Sequence, residues 1–257
     1  MCTVTIVRAA KARNGHTVTR IICNRDEQRS RPAELPARTV ACGPRLAVMP
    51  IDSCAGGTWV AATDAGLALC LLNVNLSPAV PRGAWAGRGS RGHIIPSLAD
   101  SADVFQAAER LGAMSAAATA PFKLLITDSA RVVVARSDGS RIEVSPARSI
   151  DGPIMHTSSG LGDDLVQSPR RELFERMFGG AHDLLERQIA FHAHGWPEAG
   201  HLSVAMSRAD ARTMSRTVIE LHESSVRLAW TPLDDRLLPA CQTVEAELPT
   251  IGAGCGT

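Results

Sequence analysis

Cys2 is the first residue in the chain whose chemistry suggests a function. If Met1 is removed, Cys2 carries both a thiol and a free α-amine, and an α-amine with an ordinary pKa of about 7.7 to 8.0 can accept the thiol proton near neutral pH. The thiolate formed is the species that attacks a carbonyl carbon. The alternative is that Cys2 is only a small apolar residue at the start of a strand over residues 3–7. Cys2 is therefore a candidate nucleophile that needs supporting residues.

Four consecutive polar residues, Asn24, Arg25, Asp26 and Glu27, end the second β-branched run of the chain. An arginine beside Cys2 lowers the pKa of the thiol, and an aspartate can hold the α-ammonium group or orient the amine. A solvated hairpin end with an internal Arg25–Asp26 pair explains the same residues without a function. The functional interpretation requires that a hairpin bring this segment back beside Cys2.

The apolar segment 66–75 ends in two asparagines, Asn73 and Asn75. A side-chain amide at the rim of a buried strand is suited to donate hydrogen bonds to an oxyanion. Asparagine is equally common in a turn that precedes a Ser-Pro pair, as found at 77–78. Asn73 is thus a candidate oxyanion donor and Asn75 a candidate binding residue.

These motifs, taken in order, resemble those of the NRDE family, also called the transport and Golgi organisation 2 family. The resemblance covers the first hundred residues and rests on Met1-Cys2, Asn24-Arg25-Asp26-Glu27, Arg31-Pro32, Gly56-Gly57-Thr58-Trp59, Asn73 and Gly87-Arg88-Gly89. Further on, the segment 157–161, with Ser158 and Ser159, resembles a variant of a family Leu-Ser-Asn segment. Arg212 and Thr213 resemble the start of the family's last Arg-Thr strand.

More remotely, the chain resembles N-terminal nucleophile hydrolases of the cholylglycine hydrolase and penicillin acylase type. Their strand that ends in the oxyanion asparagine is similar to the segment from Gly66 to Asn73. Their Arg-Asn-x-Asp segment differs in order from residues 24–27, so it stays open which of these four take the hydrolase roles. A later hydrolase asparagine falls near Ser158 or Ser159, where this chain has hydroxyl groups.

The resemblance implies an α+β, four-layer αββα sandwich in which two mainly antiparallel sheets are flanked by helices. It also implies a hydrolase or acyltransferase that acts on an amide or thioester of a small acyl substrate. The implied catalytic residues are Cys2, Arg25, Asp26 and Asn73, and the implied binding residues are Asn24, Glu27, Asn75, Ser158, Ser159 and Arg212. A family association with Golgi organisation, lipid metabolism and haem handling implies two alternatives: a module that binds a lipid-like or haem-like ligand, or a degenerate hydrolase fold kept for interaction.

We expect no metal and no organic cofactor. The histidines at 192, 194 and 201 have no cysteine or carboxylate at ligand spacing and are interpreted as surface residues. Arginines 82, 88 and 91, interspersed with glycines, suit either an anionic substrate group or a solvated basic loop.

Composition excludes other classes of function. The 257 residues carry a net charge of +1, from 27 basic and 26 acidic side chains, so no global field favours nucleic acid or an anionic membrane. Seven cysteines without a Cys-x-x-Cys pair predict reduced thiols and a cytoplasmic location. No signal peptide or membrane helix is expected.

The pattern of apolar residues predicts the elements that must position these groups. The first 75 residues are β-rich, with a hairpin turn at Asn14-Gly15 and a loop over 29–44. Helical spacing follows at 92–99, 102–114 and 169–192, the last divided by Gly179-Gly180, and further strands are predicted at 122–127, 131–135, 141–145, 202–206, 213–220 and 226–230. We predict one domain over residues 1–240 and a loosely ordered tail over 241–257.

Overall fold

The computed structural model describes residues 2–10, 16–75 and 84–251, and it contains two sheets whose strand pairs are antiparallel. The six-stranded sheet has the spatial order β11 (Ile154–Thr157), β1 (Cys2–Ala10), β2 (Thr17–Gln28), β12 (Ala211–Leu221), β13 (Ser225–Pro232) and β14 (Val244–Pro249). The second sheet has the order β10 (Arg148–Ser149), β8 (Arg131–Ser137), β7 (Phe122–Thr127), β6 (Ala68–Asn73), β5 (Val60–Thr63), β4 (Arg45–Ile51) and β3 (Leu35–Cys42), and β9 (Ile142–Val144) pairs with β8.

Alternating side chains give the molecule its four layers. Apolar residues on the inner faces of the sheets, such as Val4 of β1 and Leu72 of β6, form the core between them. Helices α1 (Ile94–Leu98) and α2 (Val104–Gly112) share a second core with the outer face of the β6 sheet. Helices α3 (Asp163–Phe178) and α4 (Leu184–Ala193) share a third core with the outer face of the β1 sheet. The predicted αββα sandwich is confirmed.

The pairing of β1 with β2 decides the geometry of the candidate site. Cys2 lies opposite Arg25 in this antiparallel ladder, and Thr3 lies opposite Asn24. The predicted Asn14-Gly15 turn falls outside the described residues, but the ladder confirms that the polar segment returns beside Cys2. Because side chains alternate along a strand, residues 23, 25 and 27 face the space between the sheets, whereas Asn24 and Asp26 face the helices.

Several predicted elements were wrong in detail. Residues 35–42, predicted as loop, form β3, which pairs with β4. Residues 202–206, predicted as a strand, form an irregular segment, because the carbonyl groups of Ser203 and Val204 accept hydrogen bonds from the side chains of Arg170 and Asn24. Helix α3 begins at Asp163, six residues before Pro169, and two aspartates in its first turn favour that start through the helix dipole. The N-cap of α2 is Asp103, whose side chain accepts hydrogen bonds from the amides of Phe105 and Gln106.

The predicted loose tail was wrong for residues 244–249. This segment forms β14, the edge strand that pairs with β13. Val244, Ala246 and Leu248 pack against the core between the sheets, and the glutamates between them lie on the other face. The burial of this alternating apolar face explains why the segment is ordered.

Candidate functional site

A cavity of about 150 Å³ lies where β1 and β2 of one sheet approach β6 of the other. Of the predicted catalytic residues, Cys2, Arg25 and Asn73 line it, and Glu27 of the predicted binding residues lines it as well. The rest of the lining is Arg31, Asp52, Ala55, Gly57, Thr58, Trp59, Leu71, Ser90, Arg91 and Gly92. The structure therefore brings together three groups that the sequence separates by as many as 71 positions.

Cys2 is buried, with 3% of its surface exposed. A hydrogen bond with the Cys23 thiol lowers the pKa of Cys2, and the charge of Arg25 acts in the same direction, although burial opposes both. The main-chain nitrogen of Cys2 donates to Oγ of Ser158 at 3.2 Å, and the Ser158 amide donates to the Cys2 carbonyl at 2.9 Å. Ser158 thus holds the nitrogen that would become the free α-amine.

Arg25 lies across the ladder from Cys2 and is held by two carboxylates. Its Nη1 donates to Glu34 at 2.8 Å and its Nη2 to Asp52 at 2.7 Å, while its guanidinium group stacks 4.3 Å from the centre of the Trp59 ring. Burial raises the pKa of Glu34, although the charge of Arg25 opposes this effect. These contacts fix the guanidinium group beside the thiol and offset the cost of burying its charge.

Asp26 and Asn24 lie behind the Cys2 strand, on its helix-covered face. Asp26 is buried and accepts a hydrogen bond from the Thr213 hydroxyl at 2.7 Å. Burial raises the pKa of Asp26, and the charge of Arg170 is the main opposing influence. The Asn24 amide donates to the carbonyl groups of His192 and Val204, at 2.9 and 3.0 Å. Asn24 therefore anchors the strand and does not line the cavity.

Asn73 ends β6, and its side-chain amide has no hydrogen-bond partner among the residues that the structure describes. Asn75 has another role: its backbone and side-chain nitrogens both donate to Asp163, at 3.2 and 3.0 Å. The Ser159 amide donates to the same carboxylate at 2.8 Å. Asn75 and Ser159 thus join the end of β6 to the start of α3, outside the cavity.

Arg212 does not reach the cavity. Its guanidinium group donates to the carbonyl of Leu233 at 2.6 Å and lies 3.1 Å from a carboxylate oxygen of Asp235. It therefore ties β12 to the loop after β13, and its geometry gives no support to the predicted binding role.

Sequence reasoning missed much of the cavity wall. The Gly56-Gly57-Thr58-Trp59 motif contributes to the family resemblance alone, and for Arg91 the sequence leaves two interpretations, contact with an anionic substrate group or a solvated basic loop. The backbone of the 56–59 motif contacts the backbone next to Arg91. A Cβ atom on Gly57 would lie 2.5 Å from the carbonyl carbon of Gly92, and the Thr58 amide donates to the Gly92 carbonyl oxygen at 2.9 Å. The paired glycine motifs were the signal for this contact.

No cluster of potential metal ligands occurs among residues 2–10, 16–75 and 84–251. The interpretation of the histidines as surface residues was wrong for His192, which is fully buried on α4, with its Nε2 2.8 Å from the Thr5 hydroxyl. Burial holds the pKa of His192 well below its usual value. In the same part of the chain, no helix is long and apolar enough to cross a bilayer.

The four layers and the cavity between the sheets define an N-terminal nucleophile hydrolase fold. Solved structures with this architecture match most of the chain. More particularly, the sequence profile of the family called "Transport and Golgi organisation 2" matches residues 1–186, and the chain belongs to that family. Comparison with curated protein sequences gives no match.

Three solved structures illustrate the similarity. Penicillin V acylase from Agrobacterium tumefaciens is 16% identical, with a TM-score of 0.51 over 89% of this chain and 82% of that one. The Caenorhabditis elegans ortholog of N-acylethanolamine-hydrolyzing acid amidase is 11% identical, with a TM-score of 0.54 over 85% of this chain and 92% of that one. A mutant conjugated bile acid hydrolase from Clostridium perfringens is 12% identical, with a TM-score of 0.52 over 96% and 92% of the two chains. At these identities the similarity establishes the fold alone.

Proposed function

We propose that the protein is an N-terminal cysteine hydrolase or acyltransferase that acts on an amide or thioester bond of a small acyl substrate. The observation that carries this proposal is that Cys2 and Asn73, which come from different sheets, line one cavity. Acyl transfer requires a nucleophile and an amide donor that face the same space, and the Asn73 amide has no hydrogen-bond partner within the described part of the chain. The similar fold of known amide hydrolases supports the same conclusion.

The reaction begins after removal of Met1, when the α-amine of Cys2 accepts the thiol proton. The thiolate attacks the substrate carbonyl, and the Asn73 amide donates a hydrogen bond to the oxyanion that forms. Collapse of this intermediate breaks the bond to the leaving amine or thiol, which takes the proton from the α-ammonium group. Water then cleaves the acyl-enzyme in a hydrolase, or an acceptor amine or thiol takes the acyl group in a transferase.

The surrounding residues set the charge state and the position of these groups. The Arg25 charge and the Cys23 hydrogen bond favour the thiolate, and Ser158 positions the amine through the 3.2 Å contact with the Cys2 nitrogen. Asp26, behind the strand, supplies a negative charge that favours the ammonium form after proton transfer. The proposed chemistry needs no metal or organic cofactor, and we propose a cytoplasmic location in which the thiols stay reduced.

The cavity favours this function over the binding of a lipid-like or haem-like ligand. Its volume of about 150 Å³ is below the ~300 Å³ at which pockets for drug-sized ligands begin. Five of its lining residues are charged: Arg25, Glu27, Arg31, Asp52 and Arg91. A large apolar ligand would take water away from these charges, and among the described residues no carboxylate lies within ion-pair distance of Arg91 to replace it, which is costly.

Intact-mass spectrometry tests the proposal. The native protein is first weighed to establish that Met1 is absent, and it is then treated with a panel of acyl thioesters and amides. We expect an acyl adduct that resolves with time in the wild type and none in the Cys2→Ala variant. Because Cys54 and Cys241 are exposed thiols, a Cys54→Ala/Cys241→Ala variant is the matched control and should still form the adduct. A retained Met1, or an adduct that persists in Cys2→Ala, would refute the mechanism.

A further inference from the structure

Arg91 differs from the other two arginines that line the cavity. Arg25 is paired with Glu34 and Asp52, and Arg31 lies 2.8 Å from Asp52. Among the described residues, no carboxylate lies within ion-pair distance of Arg91, although it lines the same cavity. One guanidinium group therefore faces the cavity without a counter-charge in contact with it.

The Arg91 side chain is anchored at the end of the strand that carries Asn73. Its Nη1 donates to the Pro121 carbonyl at 2.9 Å, and the same carbonyl accepts a hydrogen bond from the Val74 amide at 3.2 Å. Pro121 directly precedes β7, in which Phe122 pairs with Asn73. Arg91 is thus held beside the residue that the proposed mechanism uses to bind the oxyanion.

The backbone around Arg91 is fixed as well. The Ser90 hydroxyl accepts a hydrogen bond from the Gly92 amide at 3.2 Å, and the Gly92 carbonyl accepts one from the Thr58 amide at 2.9 Å. The backbones of Gly57 and Gly92 are packed so closely that a Cβ atom on Gly57 would lie 2.5 Å from the Gly92 carbonyl carbon. A charged group on such a support is preorganised, so little conformational entropy is lost when it binds a ligand.

The electrostatic state of Arg91 suits an anion. Burial lowers the pKa of Arg91, but a guanidinium group stays protonated in proteins. The Arg91 side chain is partly buried, and the charge of Glu27, which is not within ion-pair distance, opposes the effect of burial only in part. A bound anion in direct contact would offset the remaining cost. Among the described residues, the five N–H groups of Arg91 make one hydrogen bond, to the Pro121 carbonyl, and the planar pair of donors on Nε and Nη2 matches the two oxygens of a carboxylate.

We infer that Arg91 binds a carboxylate of the substrate, so that the substrate class is a small N-acylated amino acid or another acyl compound with a carboxylate near the scissile bond. This inference rests on the proposed function, because it specifies the substrate of the same cavity. Glu27 and Asp52 also line the cavity, and their negative charges disfavour a doubly charged group such as phosphate. An acyl chain of a few carbons suits the cavity volume of about 150 Å³.

A binding experiment tests the inference without turnover. In the Cys2→Ala background, isothermal titration calorimetry at pH 7 compares N-butanoylglycine with its neutral amide, N-butanoylglycinamide. We expect the acid to bind at least about tenfold more tightly, since a hydrogen-bonded charge contributes that much or more. The Arg91→Gln change should remove this preference. An Arg88→Gln change should keep it, because Arg88 lies in the same segment but donates to the carbonyls of Thr119 and Gly139.

Equal affinity for acid and amide in the Cys2→Ala background, or an equal loss for both in Arg91→Gln, would overturn the inference. If Arg91→Gln does not fold, Arg91→Lys replaces it; this change keeps the charge but not the fork and should reduce the preference without abolishing it. The proposed function is judged separately by the acyl adduct on Cys2. A preference for the acid without any adduct would refute the function alone, whereas an adduct without the preference would refute the inference alone.

Discussion

Asp52 supports the cavity by accepting hydrogen bonds from two arginines, and its replacement by asparagine should destabilise the protein substantially. Its Oδ2 accepts from Arg25 at 2.7 Å and from Arg31 at 2.9 Å, while its Oδ1 accepts from Arg31 at 2.8 Å. Asparagine keeps one oxygen acceptor and turns the other position into a donor that faces two guanidinium groups. Two charge-assisted hydrogen bonds are lost, each worth about 1.5 kcal/mol or more, so we expect Asp52→Asn to cost about 3 kcal/mol.

Asp235 provides a matched control because it also lies between two arginines. Arg29 donates to it and Arg212 lies 3.1 Å away, but its side chain is 79% exposed, compared with 12% for Asp52. Exposed ion pairs contribute about 0 to 1 kcal/mol because water and salt screen them. Asp235→Asn should therefore change the free energy of unfolding by no more than about 1 kcal/mol.

Urea unfolding at pH 7 measures both variants against the wild type, and thermal unfolding gives a second measure. A loss of about 3 kcal/mol lowers Tm by roughly 6 to 12 °C in a chain of this size. Equal losses in Asp52→Asn and Asp235→Asn would refute the argument that burial decides the strength of these pairs. A loss below about 1 kcal/mol in Asp52→Asn would refute the assigned hydrogen bonds.

The pH dependence of Asp52→Asn provides an independent check. Burial alone would raise the pKa of Asp52, but hydrogen bonds from Arg31 and the Ala55 amide, with the charges of Arg31 and Arg25, hold it below its usual value. A carboxyl group whose pKa is lower in the folded state stabilises the fold above its unfolded pKa of about 3.9. This contribution is lost as the pH falls through the folded pKa. The difference between wild type and variant should therefore shrink as the pH falls below about 4.

Two further predictions concern the cavity wall and the thiol. Gly57→Ala should destabilise the protein by about 1 to 3 kcal/mol in urea unfolding, because its Cβ atom would lie 2.5 Å from the Gly92 backbone. Gly152→Ala is the control and should be close to neutral, because no atom lies within 4 Å of its new Cβ atom. Equal losses of stability in the two variants would contradict the close approach of Gly57 to Gly92. Cys23→Ala should raise the pKa of Cys2 by removing its hydrogen bond, so that alkylation of Cys2, followed by peptide mass spectrometry, shifts to higher pH. Cys70→Ala is the control. If it shifted the pH dependence of Cys2 alkylation by the same amount and in the same direction, the hydrogen bond from Cys23 would not be the cause.

The fold was largely predictable because local patterns and family motifs indicate the same elements. The β-branched runs around Val4 and Ile22, and the apolar segment before Asn73, form the predicted strands. The errors occur where tertiary contacts determine the local backbone conformation. Residues 202–206 have the composition of a strand, but their carbonyl groups accept hydrogen bonds from Asn24 and Arg170, and single-sequence patterns do not reveal such partners.

The candidate site was predicted only in part, for a similar reason. Cys2 and Asn73 were found because each has a distinctive chemical group at the end of an apolar strand. Asp52 was missed, and Arg91 was left between a substrate contact and a solvated loop, because both lie in turns near glycines that look like ordinary loops in sequence. Their place follows from the pairing of Gly57 with Gly92, a contact between segments 35 positions apart.

The alternation of side chains along β2 explains why the adjacent residues Arg25 and Asp26 serve opposite sides of the sheet. Arg25 faces the cavity and lies across from Cys2, whereas Asp26 faces the helices and accepts from Thr213. A direct Arg25–Asp26 pair, the simplest interpretation of the sequence, is therefore disfavoured by strand geometry. The motif instead places the positive charge of Arg25 on the face of the sheet that carries the Cys2 thiol, and the negative charge of Asp26 on the opposite face, which the helices cover. The Arg25 charge lowers the pKa of the Cys2 thiol, whereas the Asp26 charge raises it. In the proposed mechanism Arg25 therefore favours the thiolate, and the contribution of Asp26 is to favour the ammonium form of the α-amine.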